Sequence, residues 1–230
     1  PAERLDYVTH CTCPIVHDAD DRSVMQSLEA LPFILRSTRA IIGPDKPYRI
    51  GPSTLGMRQN PYGSRVMPNP GRRRMTMAEV DPRQDGLFAA AWMVGYAARL
   101  AEAGVENFVG AALTGPFGLI APDAASGRMR LRPVGHAAKF LASMGGASAL
   151  AVSSNAPSRV LALGGEPAPG QRVLLVANLT GSEQSVRIPF GGTVLILDER
   201  TVLAGEEPCR ATLADGSVLL PAYAVMRIEG

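Results

Sequence analysis

Two histidines and an aspartate lie close together near the start of the chain, at His10, His17 and Asp18. A histidine titrates near neutral pH, so either ring could take a proton from water as a general base. The carboxylate could orient such a ring or act as the base itself. We predict these three residues as the catalytic group. Each has a structural alternative, since a strand histidine is often a hydrogen-bonded core residue and an aspartate before a helix is often its cap.

A second group of polar residues supplies hydrogen-bond donors. Arg58, Gln59, Asn60 and Tyr62 lie in a stretch whose glycines and prolines restrict the backbone, which should hold the side chains in a set geometry. Arg83, in the first turn of a predicted helix, could point to the same place or to solvent. Because guanidinium and amide groups bind oxyanions and hydroxyl groups, we predict that these residues bind the substrate.

Other chemistries find less support in the sequence. His10, His17 and the nearby aspartates could bind zinc or manganese, but their spacing matches no compact metal signature. We therefore predict neither a metal nor a cofactor. Cys11 and Cys13 alternate with His10 along a predicted strand and would point to its other face. Ser53 lacks the glycine-flanked strand–turn–helix elbow of a nucleophilic serine.

The composition excludes several classes of protein. Of 230 residues, 46% are apolar and 19% are charged, which is enough to bury a core, and the net charge is only +2. The densest basic cluster, Arg72 to Arg74, is too short to predict a nucleic-acid footprint. No apolar run approaches the ~20 residues of a membrane span. Three cysteines without a disulfide pattern favour a reducing cytoplasm.

Strands and helices alternate through the first part of the chain. Each of three predicted strands precedes a predicted helix, the strands at 5–16, from 47 and at 105–113, the helices at 22–42, 81–103 and 133–143. Pro32 predicts a kink or a restart in the first helix. Such repeats form parallel sheets with helical crossovers, and three parallel strands alone cannot bury both faces. We therefore predict that residues 1–146 are the last three units of a (β/α)8 barrel, completed by another chain or a missing segment.

From residue 147 the alternation stops, and only short predicted strands follow. They are separated by turn signals such as Gly164-Gly165 and Gly191-Gly192, and they lie at 149–154, 158–164, 171–179, 184–189, 193–198, 208–213 and 217–229. Regular spacing of this kind predicts a β-sandwich domain over residues 147–230.

Long motifs give the chain a resemblance to a known family. The runs R-L-D-Y-V-T-H-C-T-C-P-I-V-H-D-A-D-D-R-S-V-M, Y-R-I-G-P-S-T-L-G-M-R-Q-N-P-Y-G and D-P-R-Q-D-G-L-F-A-A-A-W resemble the later part of the D-apionate lactonases. The stretches L-L-V-A-N-L-T-G and L-P-A-Y-A-V-M-R-I are similar to the tail of barrel glycosidases. The resemblance implies a glycoside-hydrolase-like barrel with a C-terminal β-sandwich, and hydrolysis of D-apionolactone to D-apionate in carbohydrate breakdown. It implies no particular catalytic residue.

The leading prediction is thus a lactone hydrolase, which is a kind of carboxylic ester hydrolase. Two alternatives to it stay open. The first is a barrel glycosidase whose carboxylates lie outside this chain. Retaining glycosidases need a pair of carboxylates, one of them at the end of the penultimate strand. The predicted penultimate strand around Arg49 carries no Asp or Glu, so this chain would not supply that residue. The second is a non-catalytic carbohydrate-binding module. We expect a sugar-acid lactone as the small-molecule partner and neither nucleic acid nor membrane.

Overall fold

The computed structural model describes residues 2–60, 63, 65–123, 126–204, 207–214 and 216–230. By its internal contacts the chain divides into two compact units. The first unit is Pro1–Gln84 with Arg99–Gly118, and the second is Asp85–Ala98 with Leu119–Gly230.

The first unit is built on a parallel sheet. Its strands are β1 (Val8–His10), β2 (Tyr48–Ile50) and β3 (Asn107–Phe108), in that order across the sheet. Both pairings are parallel, with Thr9 opposite Arg49 and Arg49 opposite Asn107. The predicted parallel strands are therefore confirmed, although each is shorter than predicted.

Helix α1 (Asp21–Ile42) connects β1 to β2. The Asp20 side chain caps it by accepting a hydrogen bond from the Ser23 backbone N–H at 2.9 Å, and Gly43 ends it. The helix runs without interruption through Pro32, so the predicted restart is wrong. Its buried positions recur at helical spacing and form one apolar face: Val24, Met25, Leu28, Leu31 and Leu35.

The connection to β3 contains a short 3₁₀ helix, Pro82–Asp85, and helix α2 (Leu87–Glu102). Most of the α2 side chains are buried, which agrees with its apolar sequence. After β3, the strands β4 (Ile120–Pro122) and β5 (Met129–Leu131) form an antiparallel hairpin that the sequence did not predict, and α3 (Pro133–Ala142) follows.

The rest of the second unit is antiparallel. Six strands form one sheet in the order β11-β10-β13-β8-β7-β6, and two more form a second sheet, β12-β9. The predicted strand at 217–229 is in fact two strands, since Pro221 cannot donate a ladder hydrogen bond. The elements are β6 (Ser148–Leu150), β7 (Val160–Ala168), β8 (Gln171–Asn178), β9 (Gln184–Ile188), β10 (Gly192–Leu197), α4 (Glu199–Ala204), β11 (Cys209–Leu213), β12 (Gly216–Leu220) and β13 (Val225–Glu229).

The two antiparallel sheets share an apolar core. Its fully buried members come from both sheets: Leu174, Val176, Ile188, Val194, Leu220, Ala224, Met226 and Ile228. Several hydrophobic side chains that pack against this cluster are only partly buried, among them Val152, Val160 and Ala162.

No helix in the described ranges is both long enough and apolar enough to cross a membrane. The cysteines Cys11, Cys13 and Cys209 form no disulfide.

Candidate active site

The carboxyl ends of β1, β2 and β3 meet at one edge of the parallel sheet, where sites of parallel α/β folds are usually built. A buried serine joins the three loops that leave this edge. The Ser53 backbone N–H donates to the Val109 carbonyl at 2.9 Å, and its hydroxyl accepts from the Thr12 backbone N–H at 2.9 Å. Ser53 has no exposed surface. Its hydroxyl therefore connects loops, which agrees with the absence of a nucleophile elbow around it.

The long loop after β2 folds back on itself. The Met57 N–H donates to the Ala78 carbonyl at 2.8 Å, and the Met67 N–H donates to the Met77 carbonyl at 2.9 Å. At Gly56 the backbones approach so closely that a Cβ atom would lie 2.1 Å from the Glu79 carbonyl oxygen. Only glycine fits there, and the loop has a fixed path for this reason.

Arg58 is displayed at the surface of this loop. Its guanidinium carbon lies 5.0 Å from the centre of the Phe117 ring, which belongs to the loop after β3. This cation–π contact orients the side chain while leaving it exposed. The neighbouring Gln59 is also exposed. Arg58 and Gln59 thus keep the positions expected of ligand-binding donors.

Asn60 and Tyr62, the other two residues of this group, differ from Arg58 and Gln59. The Asn60 side-chain amide donates to the Arg65 carbonyl at 3.1 Å and so helps to close a local turn. That contact gives Asn60 a structural role beside the predicted one. Tyr62, which we predicted to bind substrate, lies outside the described residues.

His10 points toward helix α1. Its Nε2 lies 2.6 Å from the hydroxyl of Tyr48, and its Nδ1 lies 3.3 Å from the Cys11 carbonyl. Tyr48 is fully buried, and its ring lies 5.2 Å from the guanidinium carbon of Arg39 in α1. Burial raises the pKa of the Tyr48 hydroxyl. A hydrogen bond with Thr38 lowers this pKa, but by less.

Both ring nitrogens of His10 therefore have protein partners. A carbonyl can only accept, so Nδ1 carries the proton and Nε2 accepts from the tyrosine. This is the structural alternative for a strand histidine, and a catalytic role for His10 stays a prediction.

His17 and Asp18 lie in the loop between β1 and α1, and both are exposed. The Asp18 carboxylate accepts from the Asp20 backbone N–H at 3.0 Å and from the Ser23 hydroxyl at 2.8 Å. Hydrogen bonds from the Ser23 backbone and hydroxyl lower the pKa of Asp20 to about 2. The aspartates thus organise the start of α1, and the His17 side chain is exposed in this loop.

Arg83 does not face solvent, as only 4% of its side chain is exposed. It donates to the Asp81 carboxylate through Nε at 2.9 Å and through Nη2 at 2.6 Å. Its Nη1 donates to the Ala19 carbonyl at 3.0 Å and lies 3.2 Å from the Asp21 carboxylate. These contacts occupy the guanidinium and fasten the loop before α1 to the end of the long loop. These contacts give Arg83 a structural role, and substrate binding by Arg83 stays a prediction.

The face of the sheet opposite α1 carries residues that the sequence analysis did not select. Arg49 lies between the buried residues Tyr48 and Ile50, so its side chain points the other way. Its guanidinium carbon lies 4.1 Å from the centre of the Tyr7 ring, and its Nε lies 3.9 Å from the Glu106 carboxylate. Alternation along the strands was the signal that could have identified these polar side chains.

The described residues at this edge thus offer donors and a histidine. Within them, no group of three His, Cys, Asp or Glu side chains is close enough to hold a metal ion. Burial raises the pKa of the Cys13 thiol, which disfavours its reactive thiolate form.

Comparison with known sequences gives two domain matches and one close relative. The sequence model of the D-apionate lactonase TIM-barrel domain matches residues 1–146, and that of the corresponding C-terminal immunoglobulin-like domain matches residues 157–228. A D-apionate lactonase from Brucella anthropi is 49% identical over 192 residues, which make up 82% of this chain and 30% of that protein. This chain thus spans about a third of the relative's length.

Solved structures share the fold at low sequence identity. A family 51 arabinofuranosidase from Xanthomonas axonopodis pv. citri is 11% identical with a TM-score of 0.66, covering 99% of this chain and 53% of that one. A family 44 endoglucanase from Clostridium thermocellum is 11% identical with a TM-score of 0.60, covering 98% and 47%. The fold is therefore a TIM-barrel domain followed by an immunoglobulin-like domain. The placement of β1 to β3 as the last three units of the barrel stays a prediction.

Proposed function

Because the chain belongs to the D-apionate lactonase family, we propose that it forms part of an enzyme that hydrolyses a sugar-acid lactone, D-apionolactone, to the open acid. The face of the sheet that carries Arg49 would then line the barrel interior, and the loops bearing His17 and Arg58 would lie at its mouth. We place this activity in the cytoplasm, since the cysteines are free thiols.

One observation carries the proposal. At the carboxyl ends of the strands, two side chains that can donate hydrogen bonds are exposed, whereas two nearby carboxylates already accept hydrogen bonds within the protein. Arg58 and Gln59 are exposed. Asp18 accepts hydrogen bonds at the start of α1, and Asp81 is paired with the buried Arg83. A lactone requires a donor for its carbonyl oxygen and a single base, whereas a retaining glycosidase requires two carboxylates about 5 Å apart.

The reaction can be written with the residues at this edge. His17 takes a proton from water, the resulting hydroxide attacks the lactone carbonyl carbon, and Arg58 stabilises the negative oxygen that forms. The ring C–O bond then breaks, and the protonated histidine returns its proton to the departing alkoxide. The new carboxylic acid ionises at neutral pH, so each turnover releases one proton. Gln59 would bind a hydroxyl group of the substrate.

The first test is acid release from D-apionolactone by the protein at its full family length, followed in a pH-stat. We expect Arg58→Gln to lower kcat/KM about 100-fold, as loss of an oxyanion donor does. Arg73→Gln is the matched control, because Arg73 is an exposed arginine of the same loop. Activity on nitrophenyl glycosides with none on lactones would instead support the glycosidase alternative.

The two histidines can be separated in the same assay. His17→Gln should abolish most of the rate while leaving the thermal midpoint unchanged, since the side chain is exposed. His10→Gln should lower the thermal midpoint through the lost Tyr48 contact and leave most of the rate of the folded protein. A fully active His17→Gln enzyme would exclude the base proposed above.

A further inference from the structure

The immunoglobulin-like domain contains a large groove between its two sheets. Its volume is about 910 Å³, and all of its walls belong to the second unit. We call it the β9 groove, because the whole of β9 forms one wall. Residues 150–156 and parts of β7 and β8 also line it.

The groove lies where core coverage is incomplete. The six-stranded sheet is faced by a sheet of only two strands. As a result Val152, Val160 and Ala162 border the groove and are only partly buried, although they pack against the core cluster. Apolar side chains in such a position gain free energy if another chain segment covers them.

One edge of β9 is open toward the groove. In the part of the chain that the structure describes, β9 pairs only with β12. Only Ser217 of β12 reaches the groove, whereas Gln184 to Ile188 all line it. An open strand edge presents unpaired N–H and C=O groups and is a template for a further strand.

The dimensions agree with one strand. A strand of five residues is about 17 Å long. Multiplied by the spacing between strands, about 4.8 Å, and the spacing between sheets, about 10 Å, this length gives a volume of roughly 800 Å³. The groove, at about 910 Å³, therefore has room for such a segment.

The charge of the groove indicates what the strand carries. Arg159, Arg172 and Arg187 line it, and no described Asp or Glu does. The guanidinium of Arg172 lies over the Phe190 ring, 4.4 Å from its centre, which fixes its position at the rim. Three like charges without a carboxylate among them favour an acidic partner.

We propose that the β9 groove is filled by one extended strand from the part of the longer family protein that this chain does not span. The strand pairs with the open edge of β9, places apolar side chains over Val160 and Ala162, and presents a carboxylate to the arginines at the rim. The Brucella anthropi relative has ample length for it, since the matched residues are only 30% of that protein. The proposal rests on family membership and groove geometry and does not depend on lactone hydrolysis.

The test uses this chain with overlapping ten-residue peptides that cover the whole Brucella anthropi relative. Binding is read by NMR chemical shifts and by hydrogen exchange of the β9 amides. We expect one short peptide from outside the matched 192 residues to bind, to slow exchange in β9, and to contain alternating apolar residues with an acidic one. High salt should weaken its binding through the rim arginines.

A matched pair of variants locates the binding site. Ala162→Trp fills part of the groove and should abolish binding of the peptide, whereas Ala211→Trp, on the exposed strand β11 of the same sheet, should leave it unchanged. The proposal is overturned if no peptide binds at millimolar concentration, or if binding survives Ala162→Trp. Self-association of this chain with protected β9 amides would also overturn it, because a second copy would then fill the groove.

Discussion

The same three-residue motif, Asp-x-Arg, occurs in both units with almost identical local geometry. In each case the arginine N–H donates to the aspartate two residues earlier, at 2.9 Å for Arg83 and 3.0 Å for Arg200. The Nη2 contacts with Asp81 and Asp198 are 2.6 and 2.7 Å. Both aspartates are buried, but the arginines differ, since 4% of the Arg83 side chain is exposed and 73% of the Arg200 side chain is exposed.

This difference shows that partners outside the motif decide its role. Arg83 also holds Ala19 and Asp21, more than sixty residues away in sequence, and so joins two loops at the candidate active site. The corresponding bonds of Arg200 stay within its own turn, where the aspartate caps the short helix α4. One motif is a connection between loops, and the other is a local helix cap.

The largest effect is expected for Arg83→Gln. It removes one partner of a buried ion pair and leaves Asp81 uncompensated, which costs about 3–5 kcal/mol of unfolding free energy. Denaturant unfolding with a two-state fit measures the loss. A change below about 1 kcal/mol would mean that burial does not distinguish the two motifs.

A smaller effect is expected for Asp198→Ala. The Asp198 carboxylate accepts from the Arg200 and Thr201 backbone N–H groups, and loss of such a cap costs about 1 kcal/mol. Asp198→Asn should recover most of this loss, because asparagine also caps helices. If the asparagine variant were as unstable as the alanine variant, the charge rather than the cap would be the stabilising feature.

A still smaller effect concerns His136, which is buried beside the exposed Glu207, their Nδ1 and carboxylate atoms 3.8 Å apart. Burial is the largest influence on the pKa of His136 and lowers it. The carboxylate of Glu207 raises this pKa and the charge of Lys139 lowers it, so that the net shift is downward. The unfolded chain then binds a proton more readily than the folded chain. Stability should be complete above the ordinary pKa of 6.5 and should fall as the pH drops below that value toward the lowered pKa.

Urea unfolding at several pH values between about 5 and 8 measures this dependence. His136→Gln should flatten the curve in that range. A wild-type curve that rises on acidification would show that Glu207, not burial, dominates the pKa.

The smallest effect is expected for Arg200→Gln. The Arg200 side chain is exposed, so water screens the pair, and the buried Asp198 keeps its hydrogen bonds from the Arg200 and Thr201 backbone N–H groups when the guanidinium is removed. The unfolding midpoint should match that of the parent protein, and a large loss would remove the contrast with Arg83.

Local signals in the sequence predicted the elements better than the site. The helix predicted at 22–42 is observed at Asp21–Ile42, because its cap and its terminal Gly43 are local features. The strand predicted at 5–16 ends at His10, since the backbone beyond it bonds to another loop, as Thr12 does to Ser53.

Partners distant in sequence give His10 and Arg83 their structural roles. The Tyr48 hydroxyl that binds His10 is 38 positions away, and the Asp21 carboxylate beside Arg83 is 62 positions away. Nothing in Asp81-Pro82-Arg83 distinguishes it from Asp198-Glu199-Arg200 as a local pattern. The exposure of Arg58 follows from the loop itself, because a loop rich in glycine and proline displays its polar side chains.

The long loop also contains a position whose side chain can be changed freely. Asn69 holds its turn through main-chain groups, donating to the Arg73 and Val80 carbonyls at 2.6 and 2.9 Å and accepting from the Arg73 N–H at 3.0 Å. Main-chain partners are the same for every amino acid except proline, so the side chain at 73 can be randomised without changing the path of the loop. A library at this position would vary the surface of the long loop on a constant scaffold, with Asn69 kept invariant.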